Sequence, residues 1–225
     1  MGIKNSILRA IGDKRAKYKG HELIIQHENE IFGTIQKDSY VVEIGSEREA
    51  GSTRIIAELA NKHDVTFITV DFNQDTTAAA ENIVKSVNKK FEAVNDFGEK
   101  FLERFSEELS LVYLDAFDLA GDWHPAKLAD SYRKKGVELT NENCYKMHLD
   151  CAVALCRKMK KGTYVCFDDV NPVDEEGHLI LRKVESHYPY WSGKGKTAIP
   201  YMLKNGFKLI DNKRACALLV RINLS

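Results

Sequence analysis

Val41-Val42-Glu43-Ile44-Gly45-Ser46-Glu47-Arg48-Glu49-Ala50-Gly51-Ser52-Thr53 is the stretch that decides how the rest of the chain is read. An apolar run ends in an acidic residue and a glycine, and a second glycine opens an amphipathic stretch. That is the outline of a buried strand, a turn and a helix, with glycines where the backbone must approach another group closely. Outward from it, apolar runs at Tyr40–Ile44, Val65–Val70, Phe91–Val94, Leu111–Leu114 and Tyr164–Phe167 alternate with helix-like segments near 51–63, 76–89, 97–108 and 141–160. The runs are rich in Val, Ile, Tyr and Phe, as strands covered on both faces are. Strand–helix alternation at this spacing predicts βαβ units, hence an α/β fold with a doubly wound parallel sheet and helices on both faces. Phe207–Ile210 and Ala215–Ile222 are separated by only four residues, so the sheet is expected to end in an antiparallel hairpin.

Composition narrows the class. The chain has 225 residues, 44% hydrophobic and 29% charged, which suits one globular domain. Lys+Arg and Asp+Glu number 33 each, so no net field draws the whole chain to nucleic acid or anionic lipid. Apolar runs fall short of the roughly 18 residues of a membrane helix. Five cysteines, an odd number with no CxxC pair, argue against a disulfide scaffold and for a reducing, cytoplasmic setting. Residues 1–38 read as a helical extension and 39–225 as the ligand-binding domain. The extension begins with Lys4, Arg9, Lys14, Arg15, Lys17 and Lys19 around Ile3, Ile7, Leu8 and Ile11. Gly2 and Ser6 fit the loose myristoylation pattern. The plainer reading is a basic amphipathic helix that packs on the body or on a second copy, which suits a homodimer.

Ligands of doubly wound sheets bind where loops leave the carboxyl ends of the strands. Asp71, at the end of the second run, is placed to accept hydrogen bonds from both hydroxyls of a ribose. A nicotinamide fingerprint G-x-G-x-x-G is absent, and the Gly45–Gly51 spacing is one too long for a P-loop that also lacks its Lys. A cofactor with adenosine but no pyrophosphate is favoured.

VVEIGSEREAGST, ITVDFN, Asn95-Asp96-Phe97 and Leu111-Val112-Tyr113-Leu114-Asp115, taken in order, resemble class I S-adenosylmethionine-dependent methyltransferases over roughly residues 39–222. The resemblance implies a Rossmann-like, seven-stranded sheet whose last strand is antiparallel. It places Glu43, Gly45 and Ser46 at the methionine end of the cofactor, with Gly51 and Ser52 at the following helix start. Asp71 goes to the ribose, Asp96 and Phe97 to the adenine, and Phe72, adjacent to Asp71, is a further cofactor-binding candidate. The family's third glycine is missing, and Glu47, Arg48 and Glu49 stand in that part of the loop.

Asp115-Ala116-Phe117-Asp118 and Asp168-Asp169-Val170-Asn171 leave the same sheet edge, and gathered carboxylates call for a cation. In this the chain resembles metal-dependent O-methyltransferases, which makes Asp115, Asp168 and Asp169 candidate Mg²⁺ ligands. A divalent ion would lower the pKa of an acceptor hydroxyl and aim it at the methyl group. The alternative is that these residues cap turns, as Asp commonly does. Asp115 is also a candidate catalytic residue. So is His148, on a stripe with Cys144, Cys151, Leu155 and Met159, where a satisfied core histidine competes with a general base. Asp150 is its orienting partner or a surface carboxylate. Tyr188, Tyr190 and Trp191, with Asp122-Trp123-His124, could form an acceptor platform or a hydrophobic cover. Gly193 to Lys196 are too few for a phosphate loop.

No Pro-Pro-aromatic follows the fourth strand and no basic stripe marks a nucleic-acid groove, so the preferred acceptor is a hydroxyl of a small molecule or saccharide. A non-catalytic S-adenosylmethionine sensor and an oxidoreductase are the competing readings.

Overall fold

The computed structural model describes residues 20–36, 38–46, 51–121, 126–180, 188, 190–213 and 215–222. β1 (Tyr40–Ile44) lies between β2 (Thr66–Asp71) and β4 (Leu109–Leu114), parallel to both, with Val42 level with Ile68 and Val112. β3 (Phe91–Asn95) extends the sheet beyond β2, and β5 (Tyr164–Asp168) extends it beyond β4. A second, two-stranded sheet pairs β6 (Val170–Val173) with β7 (Tyr190–Gly193). β8 (Phe207–Lys213) and β9 (Cys216–Arg221) form the expected hairpin, and β9 runs antiparallel to both β5 and β8. The seven-stranded order is β3-β2-β1-β4-β5-β9-β8. The chain reverses direction across the sheet between β1 and β4, and there the loops part to leave a crevice.

Alternation within the strands explains why both faces are covered. Val42, Ile44, Val112, Leu114, Val165 and Phe167 face one core. That core is closed by α5 (Gly98–Arg104), α7 (Asn141–Lys158) and α8 (Ala198–Lys204). Val41, Phe67, Leu111, Tyr113, Tyr164 and Cys166 face the other. Against them pack α1 (Gly20–Gln26), α2 (Glu28–Phe32), α3 (Ser52–Lys62) and α4 (Gln74–Lys85). Leu23, Ile24, Ile31 and Phe32 are thus part of the sheet's own core. α6 (Ala126–Lys134) follows β4, and its Leu128, Ser131 and Tyr132 border the crevice.

Local chemistry sets the helix ends. Asn73 caps α4 by accepting from the backbone N–H of Asp75 at 2.9 Å, and Thr140 caps α7 by accepting from Asn143 N–H at 3.1 Å. The helix expected over 97–108 is shorter. Phe105 leaves it to pack edge-on against Tyr40, 5.3 Å between ring centres, and Lys158 donates to the carbonyls of Leu102, Glu103 and Phe105 left open at its end. The five cysteines are free and buried. Among the described residues no helix is long and apolar enough to cross a membrane. The amphipathic segment with Gly2 and Ser6, the loop residues Glu47, Arg48 and Glu49, and Asp122-Trp123-His124 lie outside the described residues.

Candidate active site

A cleft of about 770 Å³ opens at the carboxyl ends of β1, β2, β3 and β4, within the size range of small-molecule sites. Its first half is built from backbone. Gly45 has φ +95°, and a Cβ there would lie 2.6 Å from both the Cα and the N of Ala116, so only glycine lets the β1 and β4 exits come this close. Asp71 accepts from the N–H of Ser46 at 3.2 Å and of Asn73 at 2.7 Å, tying the β1 loop to the end of β2. Asp96 accepts from the Phe97 N–H at 2.8 Å and pairs with Arg104. Phe72 stacks on Phe97 and on Tyr132, with ring centres 6.1 and 4.7 Å away.

The second half is built from side chains at the β4 and β5 exits. Lys194, 3% exposed, reaches in from the turn after β7. Its Nζ donates to the Asp115 carbonyl at 2.9 Å and to Asp115 Oδ1 at 2.6 Å, and it lies 3.1 Å from Asp169 Oδ2. Burial opposes the lysine's charge, but Asp115 and Asp169 outweigh it and hold the ammonium pKa well above its ordinary value. Burial pushes the Asp115 carboxyl up, Lys194 pulls it down, and Asp168 and Asp169 push it up again. Tyr132 accepts from the Asp118 N–H at 3.0 Å and donates to Asp118 Oδ2 at 3.2 Å, while its ring packs on Phe117. Phe117 and Asp169 hold left-handed backbones, φ +56° and +53°. Strain of this kind is concentrated at functional sites.

Gly45, Ser46, Asp71, Phe72, Asp96, Phe97, Asp115 and Asp169 line the cleft. Glu43 and Ser52 do not. Glu43 is fully buried behind the loop, where its carboxylate accepts the hydroxyls of Ser52, Thr53 and Thr69, each at 2.7 Å. It braces the start of α3, at which the helix dipole favours a negative charge, and Gly51 is the residue capping that start. Burial outweighs the three hydroxyls and raises the Glu43 pKa to about 7.

The three-carboxylate metal set is not assembled. Asp168 shares the sheet face of Tyr164 and Cys166, because side chains alternate along β5. There it accepts the Tyr113 hydroxyl at 2.5 Å and the Gly20 N–H at 3.1 Å, anchoring α1. Asp115 and Asp169 meet a lysine instead. Among the described residues, the group of carboxylates and imidazoles close enough to share an ion is Asp174, Glu176 and His178, in the exposed turn after β6. The residues present therefore do not fit Mg²⁺ at the β4 and β5 exits.

His148 is a core residue as well. It is fully buried, its Nδ1 donates to the Cys144 carbonyl at 2.9 Å, and its Nε2 has no hydrogen-bond partner. Burial, with Lys194 close by, lowers its pKa to about 3, so it stays neutral. Asp150 pairs with Lys146 at 2.5 Å, not with His148. Of the aromatics read as an acceptor platform or a hydrophobic cover, Tyr188 and Trp191 are 4% and 3% exposed and pack edge to face in the core, as a cover does, and Tyr190 is exposed. Lys194 was the residue missed. Its signal is the Gly193-Lys194-Gly195 spacing, too short for a phosphate loop but suited to carrying one side chain inward.

With strand order and cleft in place, comparison with solved structures is informative. A protein from Clostridium thermocellum, provisionally assigned as an rRNA methylase, superposes with a TM-score of 0.52 at 10% identity, covering 90% of this chain and 97% of that one. The fold is that of the class I S-adenosylmethionine-dependent methyltransferases. A Corynebacterium glutamicum protein gives 0.55 at 9% identity over 90% and 82% of the two chains. Cofactor-bound Rv0187 from MTB gives 0.50 at 17% identity over 91% and 80%. No protein-family model and no curated protein matches the sequence.

Proposed function

We propose that the protein is an S-adenosylmethionine-dependent methyltransferase that methylates a hydroxyl of a small molecule or saccharide. The observation that carries this reading is one continuous cleft joining the Gly45-Ser46, Asp71 and Asp96-Phe97 loops to the Asp115–Lys194 pair at the sheet's switch point. When bound, S-adenosylmethionine supplies a methyl group made electrophilic by its sulfonium. Asp71 offers its carboxylate to the ribose hydroxyls, and Phe97 with Phe72 gives the adenine an apolar wall. Gly45 keeps the methionine end of the cleft open between the two strand exits. Asp115 stands at the far end as the proton acceptor for the attacking hydroxyl, and burial raises its proton affinity toward that task. Tyr132 of α6 and Phe117 of the β4 exit pack on each other and give this end of the cleft an aromatic wall.

The Clostridium neighbour's provisional description makes RNA the acceptor to test against. The even charge balance of this chain favours the small acceptor. Calorimetric titration with S-adenosylhomocysteine is the first experiment, with binding expected for the wild type. Its absence overturns the reading. Labelled S-adenosylmethionine offered with sugar hydroxyls, phenols and RNA then separates the acceptors. Binding without transfer to any of them leaves the sensor reading in its place.

A further inference from the structure

Lys194 is more than a neutral filler between acids. An ammonium has three N–H donors, and three oxygens lie within reach of this one: the Asp115 carbonyl, Asp115 Oδ1 and Asp169 Oδ2 at 2.9, 2.6 and 3.1 Å. A neutral amine has two N–H groups for these three oxygens, and two carboxylates face the nitrogen, so the geometry favours the charged form. The backbone is shaped for the delivery. Lys194 N–H donates to the Asp169 carbonyl at 3.0 Å, and a Cβ on Gly193 would lie 1.8 Å from that same carbonyl oxygen. A Cβ on Gly195 would lie 2.5 Å from Ile199 Cδ1 and 2.8 Å from Val170 Cγ1. The small sheet of β6 and β7 thus presses the turn against the end of β5, and Gly193, with its φ of +72°, is required for that approach, while a Cβ on Gly195 would press on the Ile199 and Val170 side chains.

The position is the one in which a divalent ion would bridge the β4 and β5 exits. We propose that the Lys194 ammonium is the resident cation of the acceptor end, standing in place of a divalent ion, so that the acceptor is held through one oxygen and not as a chelating diol. The limit to one oxygen follows from the donors. The Asp115 contacts are the inner, partly buried pair, whereas the Asp169 side chain is 55% exposed and is the partner an incoming oxygen displaces. One vacated N–H serves one acceptor oxygen, while a metal ion would take two adjacent ones. Lys194 is then a positioning and specificity-determining residue for the methyl transfer proposed above, on which this substrate class rests.

The test is Mn²⁺ binding to the full chain, followed by electron paramagnetic resonance, with and without S-adenosylhomocysteine. The wild type is expected to hold no Mn²⁺ that Asp115→Asn removes. Lys194→Ala uncovers Asp115 and Asp169 and is expected to bind Mn²⁺ at least tenfold tighter than the wild type, a gain lost on adding Asp115→Asn. Ions at the surface Asp174, Glu176 and His178 are recognised by their indifference to Asp115→Asn. Wild-type Mn²⁺ binding that Asp115→Asn or Asp169→Asn weakens tenfold overturns the proposal. So does a folded Lys194→Ala that gains no binding. Should Lys194→Ala fail to fold by circular dichroism, the wild type and Asp169→Asn, an exposed change, decide alone. For the acceptor class, turnover of monohydroxyl acceptors that survives EDTA supports the proposal, and a vicinal-diol requirement abolished by EDTA refutes it. If the wild type binds no S-adenosylhomocysteine, the methyltransferase reading fails, while the cofactor-free Mn²⁺ arms still judge Lys194.

Discussion

The two halves of the cleft are built by different means. At the β1–β3 exits, the groups that define the site are backbone turns and acidic residues close to them in sequence. Gly45 and Asp96 follow directly on β1 and β3, and Asp71 ends β2; Asp71 and Asp96 accept from backbone one or two residues on, and Asp71 also accepts from Ser46 in the neighbouring loop. At the β4 and β5 exits, the decisive contact joins residues 79 apart in the chain, Lys194 and Asp115. The first half is therefore read from local motifs. The second depends on which distant side chain the fold brings to the carboxylates.

The sharpest way to break this comparison is to remove the cofactor-side acid. Asp71→Ala is expected to weaken S-adenosylhomocysteine binding by about 3 kcal/mol, roughly a hundredfold, since each hydrogen bond to a charged group contributes about 1.5–3 kcal/mol. Calorimetry reads the loss. An unchanged affinity would place the ribose elsewhere.

A comparable but pH-dependent effect is expected behind the loop. Glu43 has its pKa raised from 4.5 to about 7 by burial, so the unfolded chain releases this proton before the folded one does. Its contribution to stability is full below pH 4.5 and is lost as pH rises through about 7. Glu43→Gln keeps a neutral side chain there. Between those limits its stability relative to the wild type should rise by up to about 3 kcal/mol, as urea denaturation across the pH range would show. A constant difference would mean that the hydroxyls of Ser52, Thr53 and Thr69 keep Glu43 ionised at all these pH values.

Asp168 sharpens the contrast on the acceptor side. If it anchors α1 through Gly20 and Tyr113, Asp168→Asn should destabilise the fold by about 1–2 kcal/mol in urea and leave S-adenosylhomocysteine affinity unchanged. A lost transfer activity with unchanged stability would return it to the site.

His148→Phe carries the smallest expected effect at neutral pH, less than about 1 kcal/mol, because it removes a buried acceptor that has no partner. His148 has its pKa lowered to about 3, so its neutral form stabilises the fold above pH 6.5 and that contribution is lost as pH falls toward 3. The variant should therefore gain on the wild type in acid, and it should retain methyl transfer. Abolished transfer would restore the histidine as a catalytic group.

The sequence alone was enough for the parallel strands, their order of appearance, the terminal hairpin and the loops at the β1–β3 exits. Two-sided burial writes itself into a strand as a continuous apolar run, and a turn that needs positive φ shows as glycine, as at Gly45. Carboxylates at strand ends were equally visible, but their direction was not. One residue of register turns Asp168 to the α1 face and leaves Asp169 at the cleft. The short β6–β7 sheet was hidden because a four-residue strand with a proline carries little pattern. Only the tertiary structure decided that Glu43 braces a helix, that His148 and Trp191 serve the core, and that a buried lysine supplies the positive charge. Long-range electrostatic pairing leaves no local periodicity, so folding alone determined which cation met Asp115.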